Sequence, residues 1–303
     1  MQNQRRGFGK IAGLVIHANI DLHIHSTASD GTASPTEILR IARNLSLGAI
    51  AITDHDTLAG SKEALASGIP EPLHFLTGIE ISANAPRNYP CSGSFHILGY
   101  GMRLDHPLLN QTLELLQAAR KNRNPGIIER LNRIGMDISL AELAENFGES
   151  QLGRPHIARL MMKKGFVSSI DEAFDLYLGK GKPAYIEKYR IECDRAIQLI
   201  LEAGGVPVLA HPSLLKPLSK SPFEDLIRIL KNMGIRGIEV YYPEHAPNQT
   251  QFYAEIAQRY DLLMTGGTDF HGSMKPDIQM GNGKGDFSVC YSLYEKLAAI
   301  IGQ

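Results

Sequence analysis

The chain has few cysteines, and no two of them are close together. Only three occur among 303 residues, Cys91, Cys193 and Cys290, and none belongs to a CxxC pair. Scattered cysteines in a chain of this length exclude a disulfide framework and favour a reducing compartment. They also lie outside the histidine and carboxylate motifs described below, so a cysteine nucleophile is not expected.

Long apolar runs and an excess of either charge are also missing. A transmembrane helix needs about 20 apolar residues in a row, and the sequence has no such stretch. The formal net charge is −1, so neither a membrane nor long duplex nucleic acid is an expected partner. A basic start is followed by a short apolar run, and we interpret residues 1–19 as a leader. We therefore expect a cytoplasmic protein.

Apolar strand patterns alternate with helical patterns in two parts of the chain, 20–102 and 191–303. Strands that alternate with helices predict a parallel sheet, and about seven such units predict a barrel. Between these parts, residues 103–190 show helical patterns and carry 14 Lys and Arg against 11 Asp and Glu. This mildly basic segment predicts a helical insertion in an acidic α/β body.

Histidine and carboxylate residues cluster near the predicted ends of these strands. His23 and His25 alternate along one strand, so both imidazoles point to the same side. Asp54-His55-Asp56 follows the second strand, and Asp269-Phe270-His271 follows the last. Imidazole and carboxylate ligands without thiolate suit Mn²⁺, Fe²⁺ or Zn²⁺. One ion takes about four to six ligands, so two or three ions are predicted for the nine candidates, which are His23, His25, Asp30, His55, Glu80, His96, His211, Asp269 and His271.

Each candidate also has an ordinary structural interpretation. His96 or His211 alone is more often a hydrogen-bonded histidine than a ligand, Asp30 precedes a glycine as in a turn, and Glu80 in a strand would pair with an arginine. We expect Asp56 to cap the following helix rather than to bind metal. The joint pattern favours a metal site, because three such motifs rarely coincide by chance.

Four of these motifs resemble those of the PHP family, named for polymerase and histidinol phosphatase. They are Asp21-Leu22-His23-Ile24-His25-Ser26, Thr53-Asp54-His55-Asp56, His211-Pro212 and Asp269-Phe270-His271. The resemblance covers residues 20–102 and 191–272, in the expected order. It implies a distorted (β/α)7 TIM-like barrel with a helical insertion domain, in which residues 103–190 form a substrate cap.

The resemblance also implies a trinuclear site and a division of its ligands. Sequence spacing alone indicates the ligands but not how they are shared. The implied division is one ion on His23, His25, Glu80 and Asp269, a second on Glu80, His96 and His211, and a third on Asp30, His55 and His271.

Two segments of the insertion, 153–159 and 181–185, resemble one branch of the family. That branch includes 3′,5′-nucleoside bisphosphate phosphatases and 5′→3′ exoribonucleases that act on short RNA. The resemblance implies that Arg154 and His156 contact substrate phosphate, with Lys182 as a weaker candidate. Alternatively, Arg154 would pair within the helical cap and Lys182 would lie on a solvated loop.

The resemblance therefore implies a metal-dependent phosphoesterase for a small phosphorylated nucleotide or a short oligonucleotide. We expect a metal-bound hydroxide to attack phosphorus while Arg154 clamps the phosphoryl oxygens. Either His211 or a metal-bound water would protonate the leaving oxygen, and the sequence leaves that choice open. Two alternatives remain, namely hydrolysis of histidinol phosphate or another small phosphomonoester, and a non-catalytic metal-binding regulatory domain.

Overall fold

A computed structural model describes residues 19–148, 152–218 and 221–302. Apart from Asn19, the predicted leader lies outside the described residues. Within the described ranges, no helix has both the length and the apolar character needed to cross a membrane.

Seven strands form a nearly closed, barrel-shaped sheet. Three further short strands lie outside the barrel order. All strands of the described residues, in chain order, are β1 Ile20–Ile24, β2 Ala49–Ile52, β3 His74–Asn84, β4 Cys91–Gly93, β5 His96–Tyr100, β6 Ile191–Glu192, β7 Val206–Leu209, β8 Leu215–Pro217, β9 Gly237–Tyr241 and β10 Leu263–Gly266. The barrel order is β1-β2-β3-β5-β7-β9-β10, while β6 pairs with β3 and β4 pairs with β8. A parallel bridge between Ile24 and Phe270 joins the two ends of this order. The architecture confirms the predicted distorted TIM-like barrel.

One strand departs from the expected parallel arrangement. β5 runs antiparallel to both β3 and β7, whereas the other neighbouring pairs of the barrel are parallel. A parallel connection needs a crossover of a dozen or more residues, usually a helix. Residues 85–95, between β3 and β5, contain only the short strand β4. The prediction of a parallel sheet is therefore wrong for β5. Its reversal brings His96, which opens β5, to the rim where β7 ends.

Helices follow most of the strands, as the alternating pattern predicts. They are α1 Pro35–Asn44, α2 Ala59–Ser67, α3 Pro107–Arg133, α4 Leu140–Phe147, α5 Arg154–Lys163, α6 Ile170–Ala173, α7 Cys193–Glu202, α8 Phe223–Met233, α9 Pro247–Arg259 and α10 Tyr291–Ile301. The predicted capping box of α1 is confirmed, because Ser34 Oγ accepts from Glu37 N at 3.2 Å and the Glu37 carboxylate accepts from Ser34 N at 2.8 Å. Such a cap contributes about 1 kcal/mol and fixes where the loop after β1 ends.

The segment predicted as a helical insertion contains α3 to α6 and a π-helical turn, Phe174–Leu178. Its apolar side chains form a core of their own, in which Ile127, Leu131, Ile157 and Met161 are fully buried. Burial of one side chain of this size contributes about 1.5–3 kcal/mol. The segment is therefore a packed unit, while its limits at 103 and 190 and its role as a cap stay predictions.

Asp56 links this packed unit to the barrel. Its carboxylate accepts hydrogen bonds from the backbone and hydroxyl of Ser82 in β3, at 2.8 and 3.0 Å. It also accepts from Arg120 of α3 at 2.7 Å, and Lys188 Nζ lies 3.3 Å away. Burial alone would raise the pKa of Asp56, but Lys188 and Arg120 hold it well below its usual range. The predicted helix cap is wrong, since these donors engage the carboxylate and α2 begins after Leu58 without a side-chain cap.

We expect Asp56→Asn to destabilise the protein by about 3–5 kcal/mol, because it leaves Arg120 and Lys188 buried without their counter-ion. Chemical unfolding of this variant and of Asp286→Asn measures the difference. Asp286 is exposed, so its substitution should change the free energy of unfolding by less than about 0.5 kcal/mol. Equal stabilities of the two variants would contradict the linking role of Asp56.

Candidate metal centre

The nine candidate ligands meet at one rim of the barrel. β1 carries His23 and leads into His25, β3 carries Glu80, and His96 opens β5. All but His55 and His96 are buried. The loops after β1, β2, β7 and β10 supply the remaining candidates, which are Asp30, His55, His211, Asp269 and His271.

A first group consists of His23, His25, Glu80 and Asp269, whose ligand atoms all lie within 4.8 Å of one another. His25 Nε2 is 3.1 Å from Glu80 Oε2 and 3.2 Å from Asp269 Oδ1. His23 Nε2 is 3.5 Å and 3.4 Å from the same two oxygens. This set equals the one that the family resemblance implies for the first ion.

A second group surrounds the carboxylate of Glu80. His96 Nδ1 lies 2.6 Å from Glu80 Oε1, and His211 Nε2 lies 2.8 Å from the same oxygen. His55 Nδ1 is 2.9 Å from Glu80 Oε2. Glu80 thus contacts the imidazoles of two groups.

A third group gathers around Asp30. Asp30 Oδ1 is 3.3 Å from His271 Nε2 and 3.5 Å from His25 Nδ1, and Asp30 Oδ2 is 3.8 Å from His55 Nε2. The geometry therefore adds His25 to the three ligands that the resemblance implies here. His25 and His55 each face two groups with their two ring nitrogens. A neutral imidazole has one free lone pair, so each of these side chains can serve only one ion.

The donor atoms of the cluster fit divalent cations. Among the described residues, His23 Nε2, His25 Nε2, His55 Nδ1 and Asp30 Oδ1 are buried without a hydrogen-bond partner. A buried polar atom without a partner costs about 1–3 kcal/mol, and a shared cation removes that cost. Imidazole and carboxylate donors suit Mn²⁺, Fe²⁺ and Zn²⁺ alike, so the residues fit metal without selecting its identity.

Burial and neighbouring charges shift the pKa values of these groups. Burial would raise the pKa of Glu80, but the surrounding imidazoles, His96 foremost, hold that pKa well below its usual range. Burial lowers the pKa of His96 to about 3 despite the attraction of Glu80. For His25, the nearby carboxylates of Asp269 and Glu80 outweigh burial and raise the pKa to about 9. Charged carboxylates and neutral imidazoles are the forms that bind metal, so an ion would displace the proton of His25.

Two buried carboxylates outside the ligand set hold the ligand loops. Asp21 accepts from Thr268 N at 2.8 Å and from Thr268 Oγ1 at 2.6 Å, which ties the loop after β10 to β1. Asp54 accepts from Ser26 N at 2.8 Å and from Ser29 Oγ at 2.6 Å, which ties the loop after β1 to the end of β2. Both carboxylates stand in the sequence motifs, but only the structure gives them these partners.

A cavity of about 190 Å³ lies beside the ligand cluster and is rich in positive charge. Asp30, His55 and His96 belong to its lining, so an occupant would contact the second and third groups. Clustered guanidinium and ammonium groups bind phosphate through charge-assisted hydrogen bonds. The cations that line this cavity are Arg120, Arg123, Arg154, Lys188 and Arg190.

Arg123 stands out among these cations. Only 9% of it is exposed, and within the described part of the chain its Nε and Nη1 have no hydrogen-bond partner. Burial and the neighbouring Arg154 and Arg120 lower its pKa to about 10. A bound anion would accept hydrogen bonds from these two nitrogens, and its negative charge would raise the pKa of Arg123 again. Sequence reasoning missed Arg120, Arg123, Lys188 and Arg190, and the one local signal was the three-residue spacing of the first two on one helix.

Of the predicted substrate contacts, Arg154 lines the cavity, while His156 and Lys182 do not. The guanidinium of Arg154 lies 5.4 Å from the ring centre of Tyr185. His156 is buried, its Nδ1 accepts the backbone N–H that precedes its helix, and it lines a neighbouring cleft. Lys182 is exposed, and its backbone N–H closes the tight turn 179–182 on Gly179 O at 3.0 Å.

Known proteins resemble this chain over most of its length. Residues 21–300 match the PHP domain family. A 5′-3′ exoribonuclease from Haemophilus influenzae is 34% identical over 251 residues, which cover 83% of this chain and 89% of that protein. A 3′,5′-nucleoside bisphosphate phosphatase from Chromobacterium violaceum is 30% identical over 292 residues, which cover 94% of this chain and 98% of that protein.

The similarity extends to solved structures. A protein from Bifidobacterium adolescentis, proposed to be a metal-dependent phosphoesterase, superposes with a TM-score of 0.82 at 29% identity. The superposition covers 94% of this chain and 99% of that one, so it includes both the barrel and the insertion. With a family match over nearly its whole length and a cluster of ligands at the barrel rim, the chain belongs to the PHP family and is a metal-dependent phosphoesterase.

Proposed function

We propose that the protein hydrolyses phosphate esters of small nucleotides, with nucleoside 3′,5′-bisphosphates and short 5′-phosphorylated RNA as its substrate classes. The observation that carries this proposal is the cation-lined cavity that touches the ligand cluster. A substrate with two phosphates can present one to the ligands while the other neutralises the cations. The names of two relatives, at 34% and 30% identity, support the same two substrate classes.

The ligand groups favour two or three divalent ions, with Mn²⁺, Fe²⁺ and Zn²⁺ as the candidates. When bound, such ions activate water near neutral pH and neutralise charge on phosphoryl oxygens. Glu80 would serve two of the sites, because its Oε2 faces His25 of the first group and its Oε1 faces His96 of the second. His23, His25 and Asp269 would complete one site, and the other candidates would complete the rest.

Side chains of the insertion would bind and orient the substrate. A planar guanidinium contacts two phosphoryl oxygens at once, so Arg154 and Arg123 are the candidates for this task. Phe174 and Tyr185 contact the guanidinium of Arg154 and keep it oriented. His211 is the candidate donor of a proton to the leaving oxygen, since its Nδ1 is buried without a hydrogen-bond partner among the described residues. His156 stays a predicted contact from the neighbouring cleft.

The partners proposed for this site are small. A cavity of about 190 Å³ admits a phosphate group or part of a nucleotide. Long duplex nucleic acid is not among the proposed partners. A cytoplasmic location is proposed on the three unpaired cysteines, which suit a reducing compartment.

A substrate panel tests the proposed activity. Protein loaded with Mn²⁺ is given a nucleoside 3′,5′-bisphosphate, the two matching monophosphates and a short 5′-phosphorylated RNA. We expect kcat/KM to be at least about 10-fold higher when a second phosphate is present, since a charged hydrogen bond contributes about 1.5–3 kcal/mol. No turnover of either substrate class would contradict the proposal. A preference for histidinol phosphate or another simple monoester would favour the alternative considered from the sequence.

Glu80→Gln should lower kcat by more than about 100-fold and reduce the amount of bound metal. Even the loss of a residue that only hydrogen-bonds a metal ligand lowers metal affinity or activity about 10–100-fold. Atomic emission measures ions per chain, and phosphate release measures kcat. Glu63→Gln, on the exposed surface of α2, is the matched control and should leave both unchanged. A normal ion count in Glu80→Gln would rule out a shared ligand at this position.

For Arg123→Ala we expect KM for a nucleoside 3′,5′-bisphosphate to rise about 10-fold or more, because a charge-assisted hydrogen bond is lost. KM for the monophosphate should change much less, and kcat should be nearly constant for both. Arg133→Ala removes an exposed arginine from the same helix and serves as the control. An equal rise of KM for both substrates would argue against a subsite for the second phosphate.

A further inference from the structure

Glu239 is a buried carboxylate next to the candidate ligands. It lies in the middle of β9 and is fully buried. A carboxylate away from water costs several kcal/mol unless it is paired and hydrogen-bonded. In the described part of the chain its ionic partner is His23, and no lysine or arginine comes within pairing distance. Its two oxygens bind two different candidate ligands, which gives this residue a role beyond packing.

The first oxygen of Glu239 orients the ring of His23. Glu239 Oε1 lies 2.8 Å from His23 Nδ1. A carboxylate only accepts hydrogen bonds, so this contact keeps the ring proton on Nδ1. The lone pair of Nε2 then faces the first ligand group, 3.4 Å from Asp269 Oδ1 and 3.5 Å from Glu80 Oε2. The hydrogen bond thus selects the tautomer in which His23 can bind an ion.

The second oxygen of Glu239 holds the backbone of His211. Glu239 Oε2 accepts from His211 N at 2.7 Å. His211 has φ 23° and ψ 64°, a left-handed conformation that costs a non-glycine residue about 1–3 kcal/mol. This turn carries the His211 ring to the second group, where Nε2 lies 2.8 Å from Glu80 Oε1. The hydrogen bond to Glu239 therefore offsets a strained backbone that the ligand geometry requires.

We propose that Glu239 is a positioning residue of the metal centre, which sets the tautomer of His23 and the backbone of His211 with one carboxylate. The inference rests on the proposed metal binding but concerns a residue outside the ligand set. It also explains the burial of Glu239, because a single side chain couples β1, β7 and β9 at the rim. Glu239 thereby links a ligand of the first group to a ligand of the second.

Glutamine at position 239 cannot make both contacts. Its amide offers one accepting oxygen and one donating nitrogen, whereas His211 N and His23 Nδ1 both donate. If the amide nitrogen faces His23, it favours the tautomer with the proton on Nε2, which cannot bind an ion. If it faces His211, two N–H groups oppose each other and the left-handed turn loses its acceptor. Either orientation weakens one ligand group while preserving side-chain volume.

Metal binding by Glu239→Gln tests the proposal without an activity assay. Competition between the protein and a chelator for Zn²⁺ should give an affinity about 10–100-fold lower than that of the wild-type protein. Glu63→Gln, which replaces an exposed glutamate of α2, should bind Zn²⁺ as the wild type does. Unchanged affinity and ion count in Glu239→Gln would overturn the inference. A wild-type protein that binds no Zn²⁺ would instead overturn the proposed metal site.

A second measurement uses the wild-type protein alone and so does not depend on the folding of a variant. Nitrogen-15 NMR of the Zn²⁺-loaded protein reports which ring nitrogen of His23 carries the proton. We expect a proton on Nδ1, hydrogen-bonded to Glu239, and a metal-bound Nε2. A proton on Nε2 would overturn the inference even if the variant cannot be purified.

Discussion

The convergence of buried imidazole and carboxylate lone pairs on a few common points is the constraint on which the structure depends. Glu80 alone faces His55, His96 and His211 at 2.6–2.9 Å, and both Glu80 and His211 are buried. Where an imidazole lone pair faces a carboxylate oxygen, the two repel or remain unsatisfied, and both become ligands when a cation lies between them. The barrel rim is thus suited to metal by its desolvation as much as by its residue types.

Buried carboxylates outside the candidate ligand set hold this cluster in place. Asp21, Asp54 and Asp56 each bind donors from a segment distant in sequence, and Glu239 does the same for two ligands. An ionised carboxylate accepts several hydrogen bonds at once, so one side chain can fix two loops or two strands relative to each other. The ligand positions are consequently determined by a surrounding layer of hydrogen bonds, which second-sphere partners commonly provide in metal sites.

The insertion supplies the opposite charge. Its helix α3 and its C-terminal segment bring Arg120, Arg123, Lys188 and Arg190 to the same cavity, next to a rim rich in carboxylates. Asp56 neutralises part of this charge and at the same time attaches the insertion to the barrel. Of the other cations, Arg190 pairs with Glu187 at 2.7 Å, whereas Arg123 keeps two unpaired nitrogens among the described residues. An anionic substrate is the natural complement, which agrees with phosphoester hydrolysis by the PHP family.

The sequence by itself determined the residue types of the site, the alternation of strands and helices, and the presence of a helical insertion. Those features follow from local rules, since His23 and His25 share a strand face and Ser34 caps its own helix. The reversal of β5, the true partners of Asp56, the cationic wall and the pairing of Glu239 with two ligands were decided only by the tertiary structure. Each of these depends on contacts between segments that lie tens to hundreds of residues apart in the sequence. Hydrogen bonds and ion pairs between such segments leave no periodic pattern in the chain.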